Sequence, residues 1–146
     1  VVNPGNYNAL SGTNQNELTD AAGGLKDGCE KVISGGPMMG FAMYTTDKPI
    51  TKTSSSILCM SKDEVSACEP TACINCGRCV DACPSRIIPS RLADFAERHD
   101  EEAFLKFNGL ECVECGSCSY VCPAKRQLKQ AIGSMRKTAL ANKKKK

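Results

Sequence analysis

The sequence predicts an α+β chain built from two small units, and three observations predict it. Residues 1–66 run through turn, short-helix and strand signals and hold only two of the 11 cysteines. From Ala67 onward a four-cysteine run occurs twice in register, 39 residues apart. Around and after those runs, apolar residues return at helical spacing.

Length and composition narrow the field first. A chain of 146 residues, 41% hydrophobic and 24% charged, fits one ordinary domain or two small ones and excludes a long multidomain enzyme. No run approaches the roughly 18 apolar residues of a membrane span, and Val1 to Leu10 (VVNPGNYNAL) has neither the basic start nor the apolar stretch of a signal peptide. Val1 rather than methionine opens the chain, as expected of a piece of a longer protein. With no Trp, three Tyr and four Phe, sulfur must stand in for much of an aromatic core. An odd cysteine count, bunched rather than scattered, favours a metal framework in a reducing compartment over disulfides.

In the first unit, Asn3-Pro4-Gly5-Asn6 marks a hairpin turn between Val1-Val2 and Tyr7. Thr13 or Asn14 can cap a short helix carrying Leu18, Ala21 and Ala22, with Glu17 placed to reach back to Asn14 and Gly23-Gly24 as its stop. Lys31 to Ser34 reads as a strand, Gly35 to Gly40 (GGPMMG) as loop, and Thr51 to Met60 as a later strand. Hairpin, helix, strand, glycine-rich loop and strand describe a small unit of the β-grasp type over residues 1–66.

The second unit, residues 67–137, is helical around its cysteines. Ser90 can cap a helix bearing Leu92, Phe95 and Ala96, and Ala103, Phe104 and Phe107 form a second that ends at Asn108-Gly109. Leu128, Ala131, Ile132 and Met135 follow the i, i+3, i+4, i+7 pattern of a third. Residues 138–146 read as a basic tail ending in Lys143 to Lys146.

Cys73-Ile74-Asn75-Cys76-Gly77-Arg78-Cys79-Val80-Asp81-Ala82-Cys83-Pro84 is matched by Cys112-Val113-Glu114-Cys115-Gly116-Ser117-Cys118-Ser119-Tyr120-Val121-Cys122-Pro123. C-x2-C-x2-C-x3-C-P is the run of a bacterial [4Fe-4S] ferredoxin. Three cysteines at these steps wrap one corner of a cubane, and the glycine lets the backbone approach. The fourth lies too far round to close the same cube and crosses to the other. Cys73, Cys76, Cys79 and Cys122 therefore group as one ligand set, and Cys112, Cys115, Cys118 and Cys83 as the other. Pro84 and Pro123 suit the first turn of following helices. Two four-thiolate zinc sites are the rival, but structural zinc takes paired C-x2-C knuckles a dozen or more residues apart.

With two such clusters bound, the formal charge of +3 falls to about −1, so the apparent basicity is no argument for nucleic acid. Each set has four cysteines and leaves no iron open for substrate, which makes electron transfer the default. The sequence holds no H-E-x-x-H, P-loop, G-x-G-x-x-G or G-x-S-x-G motif for hydride chemistry or hydrolysis.

Val32-Ile33-Ser34-Gly35-Gly36-Pro37-Met38-Met39-Gly40-Phe41, then Ser56-Ile57-Leu58, then both cysteine runs through Ala124-Lys125, resemble the C subunit of the Rnf (Rsx) electron transport complex over nearly the whole chain. The resemblance implies a soluble-ligand-binding (SLBB-like) β-grasp unit followed by an alpha-helical two-cluster ferredoxin domain. It implies an electron-relay subunit, peripheral on the cytoplasmic face of the cell membrane, in a complex that passes electrons between reduced ferredoxin and NAD+ coupled to Na+ or H+ translocation. Partners would be the membrane subunits and ferredoxin-type carriers. FMN and NADH sites are expected only in an N-terminal part absent from this sequence. Rival readings are a stand-alone ferredoxin-type carrier, the iron-sulfur subunit of another oxidoreductase, and a zinc structural module.

The remaining residues read more plainly. Cys29, Cys59 and Cys68 stand 30, 9 and 5 residues from the next cysteine, which matches no ligand pattern and favours free thiols. Met38 and Met39 suit either core filling or a partner contact, and His99 sits in a solvated R-H-D-E-E run. Arg86, where the family more often has a neutral residue, either faces solvent or raises a cluster's potential. Lys143 to Lys146 either steer the chain to an anionic surface, at about 1 kcal/mol per Lys, or form a disordered solubilising tail. If they steer, deleting residues 143–146 weakens binding to anionic vesicles at low salt; unchanged binding discards that role.

Overall fold

The computed structural model describes residues 9–64 and 67–145. The hairpin expected between Val1 and Tyr7 lies outside them. The chain divides into two compact units, Val1–Ala67 and Cys68–Lys146.

In the first unit helix α1 spans Gln15–Ala21. Asn14 is its cap: the side-chain oxygen accepts from Asn16 N at 2.9 Å, while Nδ2 donates to Asp47 Oδ1. The helix ends on Gly23 and Gly24, both at positive φ, and Gly24 N donates to Thr19 O at 2.8 Å. Strands β1 (Lys31–Ser34), β2 (Phe41–Met43) and β3 (Ile57–Met60) form an antiparallel sheet of order β2-β1-β3. Val32 pairs with Met43 on one side and Cys59 on the other.

Two expectations change here. The strand expected over Thr51 to Met60 starts only at Ile57, because the hydroxyls before it close a local turn: Thr51 N donates to Ser54 Oγ at 3.1 Å and Ser54 N to Thr51 O at 3.0 Å. Strand β2, which the sequence pattern does not announce, follows directly on the glycine-rich loop. Gly40 N donates to Gly36 O at 2.7 Å, and a Cβ on Gly40 would run into Gly36 O, Ser34 O and the Ile33 side chain. Only glycine lets the chain fold back that tightly. Leu18, Ile50 and Ile57 make the unit's buried cluster, with Ala9, Val32 and Cys59 against it.

The second unit holds α2 (Arg78–Asp81), α3 (Pro89–Glu97), α4 (Glu101–Lys106), a 3-10 turn at Gly109–Glu111, α5 (Ser117–Tyr120) and α6 (Leu128–Lys145). Ser90 is not a cap. Pro89 opens α3, its missing N–H costing nothing in a first turn, and Ile88 precedes it without a side-chain bond. Asp100 caps α4 by accepting from Ala103 N at 2.9 Å. His99, exposed at φ 56°, is the corner between them.

Pro84 and Pro123 do not begin helices either. Each is the second residue of a tight turn, closed by Arg86 N to Cys83 O at 3.1 Å and Lys125 N to Cys122 O at 3.2 Å. Proline's fixed φ suits that turn position as well as it suits a helix start. Residues 138–145 likewise form no separate tail. Helix α6 runs through Lys145 and keeps packing past Lys137, with Ala139 2% exposed. Among the described residues no helix is long and apolar enough to cross a membrane.

Ile87, Leu92, Ala93, Ala96, Phe104, Leu128, Ile132 and Met135 form the core, and Cys79, Cys83, Cys112, Cys118 and Cys122 pack against it. Sulfur thus supplies part of the apolar surface that aromatic residues would otherwise give. Phe104 is fully buried, and the 3-10 turn passes so close that a Cβ on Gly109 would enter its ring. Gly109→Ala is expected to destabilise this unit by about 1–3 kcal/mol, the cost of overpacking. Thermal unfolding followed by circular dichroism checks it; an unchanged midpoint would contradict this packing.

Candidate metal centre

The two cysteine runs fold as one loop used twice. Asn75 and Glu114 both stand at φ 55°, Gly77 and Gly116 at φ 77° and 84°, and Arg86 and Lys125 both at φ 53°. Each pair is 39 residues apart, so the sequence repeat is also a repeat of backbone conformation. Left-handed residues after the first and second cysteines curl the chain around a hollow. A one-turn helix, α2 or α5, then carries the third.

The hollows are cavities, and their walls cross between the runs. One, of about 210 Å³, is lined by Cys73, Cys76 and Cys79 of the first run and by Cys122 of the second. The other, of about 20 Å³, is lined by Cys112, Cys115 and Cys118 together with Cys83. Both four-cysteine sets expected from the spacing are thus brought together. The thiols ring a space rather than converge: among the described residues no three of Cys, His, Asp or Glu are gathered to hold a single metal ion. As a donor set, four soft sulfurs around a hollow fit an iron-sulfur cluster.

The thiols differ in how readily they ionise. Burial pushes Cys118 up to about 11 against a hydrogen bond from the Ser119 backbone, and burial also raises Cys112, against the Glu114 N–H that donates to its sulfur at 3.4 Å. The Ser117 hydroxyl, 3.5 Å from Cys115, holds that thiol below its usual value. A buried sulfur such as Cys118 gives up its proton when a metal takes its place.

Charged side chains that carry no ligand spacing in the sequence stand beside both cavities. Arg126 lines the first and reaches Asp94 Oδ1 and Glu97 Oε1 of α3, each at 2.9 Å. Burial works against its charge, but the hydrogen bonds to the two carboxylates outweigh it and keep the guanidinium above its ordinary pKa. Glu114 lines the second cavity and accepts from Arg136 Nη1 at 3.2 Å. Laying the two copies over each other and reading past the proline, to positions 87 and 126, would have flagged Arg126.

The other candidates scatter. Arg86 is exposed and walls neither four-cysteine cavity. Met38 and Met39 are 41% and 62% exposed, so they fill no core. Cys29 Sγ donates to Lys31 O at 3.7 Å, and the Cys59 thiol, 30 residues on, is raised chiefly by burial and next by the nearby Cys29. Cys68 belongs to the other unit and is exposed.

The family model for a 4Fe-4S dicluster domain matches residues 72–126, the stretch that contains both cysteine runs. The C subunit of the Na(+)-translocating ferredoxin:NAD(+) oxidoreductase complex of Acetobacterium woodii is 39% identical over 145 residues, 99% of this chain and 33% of that subunit. The C subunit of the proton-translocating ferredoxin:NAD(+) oxidoreductase complex of Clostridium ljungdahlii is 47% identical over 90% of the chain and 29% of the subunit. The C subunit of the ion-translocating oxidoreductase complex of Methanosarcina acetivorans is 42% identical over 90% of the chain and 30% of the subunit. The chain spans about a third of the length of these relatives. Over nearly its whole length the chain is thus similar to a part of the C subunits of ion-translocating oxidoreductase complexes, and its residues 72–126 match the 4Fe-4S dicluster domain.

Proposed function

We propose that this chain relays electrons through two [4Fe-4S] clusters as part of the peripheral subunit of a membrane-bound, ion-translocating ferredoxin:NAD+ oxidoreductase. Cys73, Cys76, Cys79 and Cys122 hold one cluster; Cys112, Cys115, Cys118 and Cys83 hold the other. The observation that carries the reading is the pair of cavities, each lined by four thiols and each completed by a cysteine from the opposite run.

When bound, each cluster supplies one-electron redox chemistry. The protein's own residues set its terms. Eight thiolates anchor iron on one rigid core, so reduction costs little reorganisation. The Glu114 N–H donates to the Cys112 sulfur and offsets charge that gathers there on reduction. Leu128 and Ile132, 2% and 1% exposed, keep water from the inner side of the cavities.

The finer points belong to the same proposal. The first unit is an SLBB-like β-grasp unit, a reading its antiparallel sheet and glycine-rich turn support. FMN and NADH chemistry falls to the remainder of such a subunit. The chain sits at the cytoplasmic face of the membrane, against the complex's other subunits and within reach of ferredoxin-type carriers. A stand-alone carrier has no evident use for the first unit, which favours the subunit reading.

Iron, acid-labile sulfide and zinc on anaerobic protein test the reading directly. About eight iron and eight sulfide per chain, with visible absorption that bleaches on dithionite, are expected; about two zinc and no sulfide would make this a structural metal module instead. The crossed ligation has its own test. Cys83→Ala should leave the same residual electron paramagnetic resonance signal as Cys112→Ala, and Cys122→Ala the same as Cys73→Ala, each with iron reduced to about half. Residual signals sorted by run instead would refute the crossing.

A further inference from the structure

Positions 39 residues apart line the two four-cysteine cavities, and many keep their character: Ile74 answers Val113, Gly77 answers Gly116, and Pro123 answers Pro84. The walls part company in charge. Arg126 in the first cavity has the apolar Ile87 as its counterpart in the second, while Asn75 answers Glu114 and Ser90 answers Lys129. The second cavity thus faces one carboxylate, which Arg136 partners, and one lysine; the first faces a single guanidinium. That guanidinium is only 10% exposed and is pinned from α3 by Asp94 and Glu97 at 2.9 Å, so it cannot swing into solvent. A fixed, partly desolvated charge acts on its neighbours with far less screening than a mobile surface charge.

We propose that Arg126 sets the reduction potential of the cluster held by Cys73, Cys76, Cys79 and Cys122, holding it above the value that an uncharged residue at this position would give. The inference rests on the relay reading. On reduction the cluster takes one electron, no bond breaks and no proton moves, and the thiolate-bound core gains one unit of negative charge. A cation in its wall stabilises that more negative state over the oxidised one. Asp94 and Glu97 act in the opposite sense, since they hold the arginine in place but also offset its charge.

The test is a potentiometric titration of the anaerobic chain, read by electron paramagnetic resonance, with the two signals assigned through Cys122→Ala and Cys83→Ala. Arg126→Gln is expected to lower the potential of the cluster that Cys122 completes, so that its reduced-to-oxidised ratio at a fixed ambient potential falls about tenfold, as one nearby charge supplies. The other cluster should move much less. Arg126→Lys should restore most of the shift, and Asp94→Asn should move the same potential upward, a pair of results that a purely structural role for the arginine would not give. If Arg126→Gln retains no cluster, Arg126→Met, which keeps an apolar stem without the charge, is titrated in its place and the same fall decides. Unshifted potentials, equal shifts of both clusters, or a downward shift in Asp94→Asn would overturn the inference. An unaltered chain lacking iron and sulfide would overturn the relay reading, and this inference with it.

Discussion

The second unit depends on one constraint: each four-cysteine cavity takes three of its thiols from one run and the fourth from the other. Neither run can close a hollow alone, so the two loops must meet and the helices between them must lie where that meeting puts them. The intervening segment obeys this. Helices α3 and α4 fold back as a pair, the Phe95 and Phe107 rings meet tilted at 53° with centroids 5.0 Å apart, and α6 closes over α3. A core holding one fully buried aromatic ring, Phe104, is sufficient because five of the cysteines pack against it. The cysteines that line the cavities and the residues that fill the core are in part the same residues.

Such a design leaves little for the surface to do and much for backbone conformation. Six non-glycine residues among those described take positive φ, five of them in or beside the cysteine runs and their turns and His99 at the α3–α4 corner. Asparagine suits that region, whereas Arg86, Glu114 and Lys125 adopt it at some cost in strain. The paired values in the two runs mean that one solution to wrapping a hollow was used twice. Polar side chains then distinguish the copies: Arg126 joins the first loop's cavity to α3, and Arg136 joins Glu114 of the second to α6.

The first unit is held differently. Among the described residues a cluster of three buried apolar side chains and a three-stranded sheet give it a small core, and its chain reversals rest on glycine. The Gly35 to Gly40 loop is legible as a loop from composition, but its product, strand β2, is not. Phe41-Ala42-Met43 is too short to show an alternation, and its first two side chains are exposed, so no hydrophobic pattern announces it. Pairing with Val32, Ile33 and Ser34 creates the strand. The opposite holds for Thr51 to Ser56, where β-branched and hydroxyl residues suggest a strand but bond to one another in a turn.

By itself the sequence determined which cysteines share a cavity, since spacing within a cysteine run dictates which thiols one loop presents and a doubled run supplies the fourth. It determined the α+β class and the third helix of the second unit too, because the 3.6-residue period is a local property. Its punctuation was ambiguous: proline's fixed φ serves a helix start, as at Pro89, and a turn, as at Pro84 and Pro123, and only the contacts around each decide. Tertiary structure alone decided that Arg126 meets Asp94 and Glu97 and that Cys29 lies beside Cys59, pairs separated by 32, 29 and 30 residues. No local period links residues so far apart; what joins them is how loops and strands pack, and with it the charge each cavity feels.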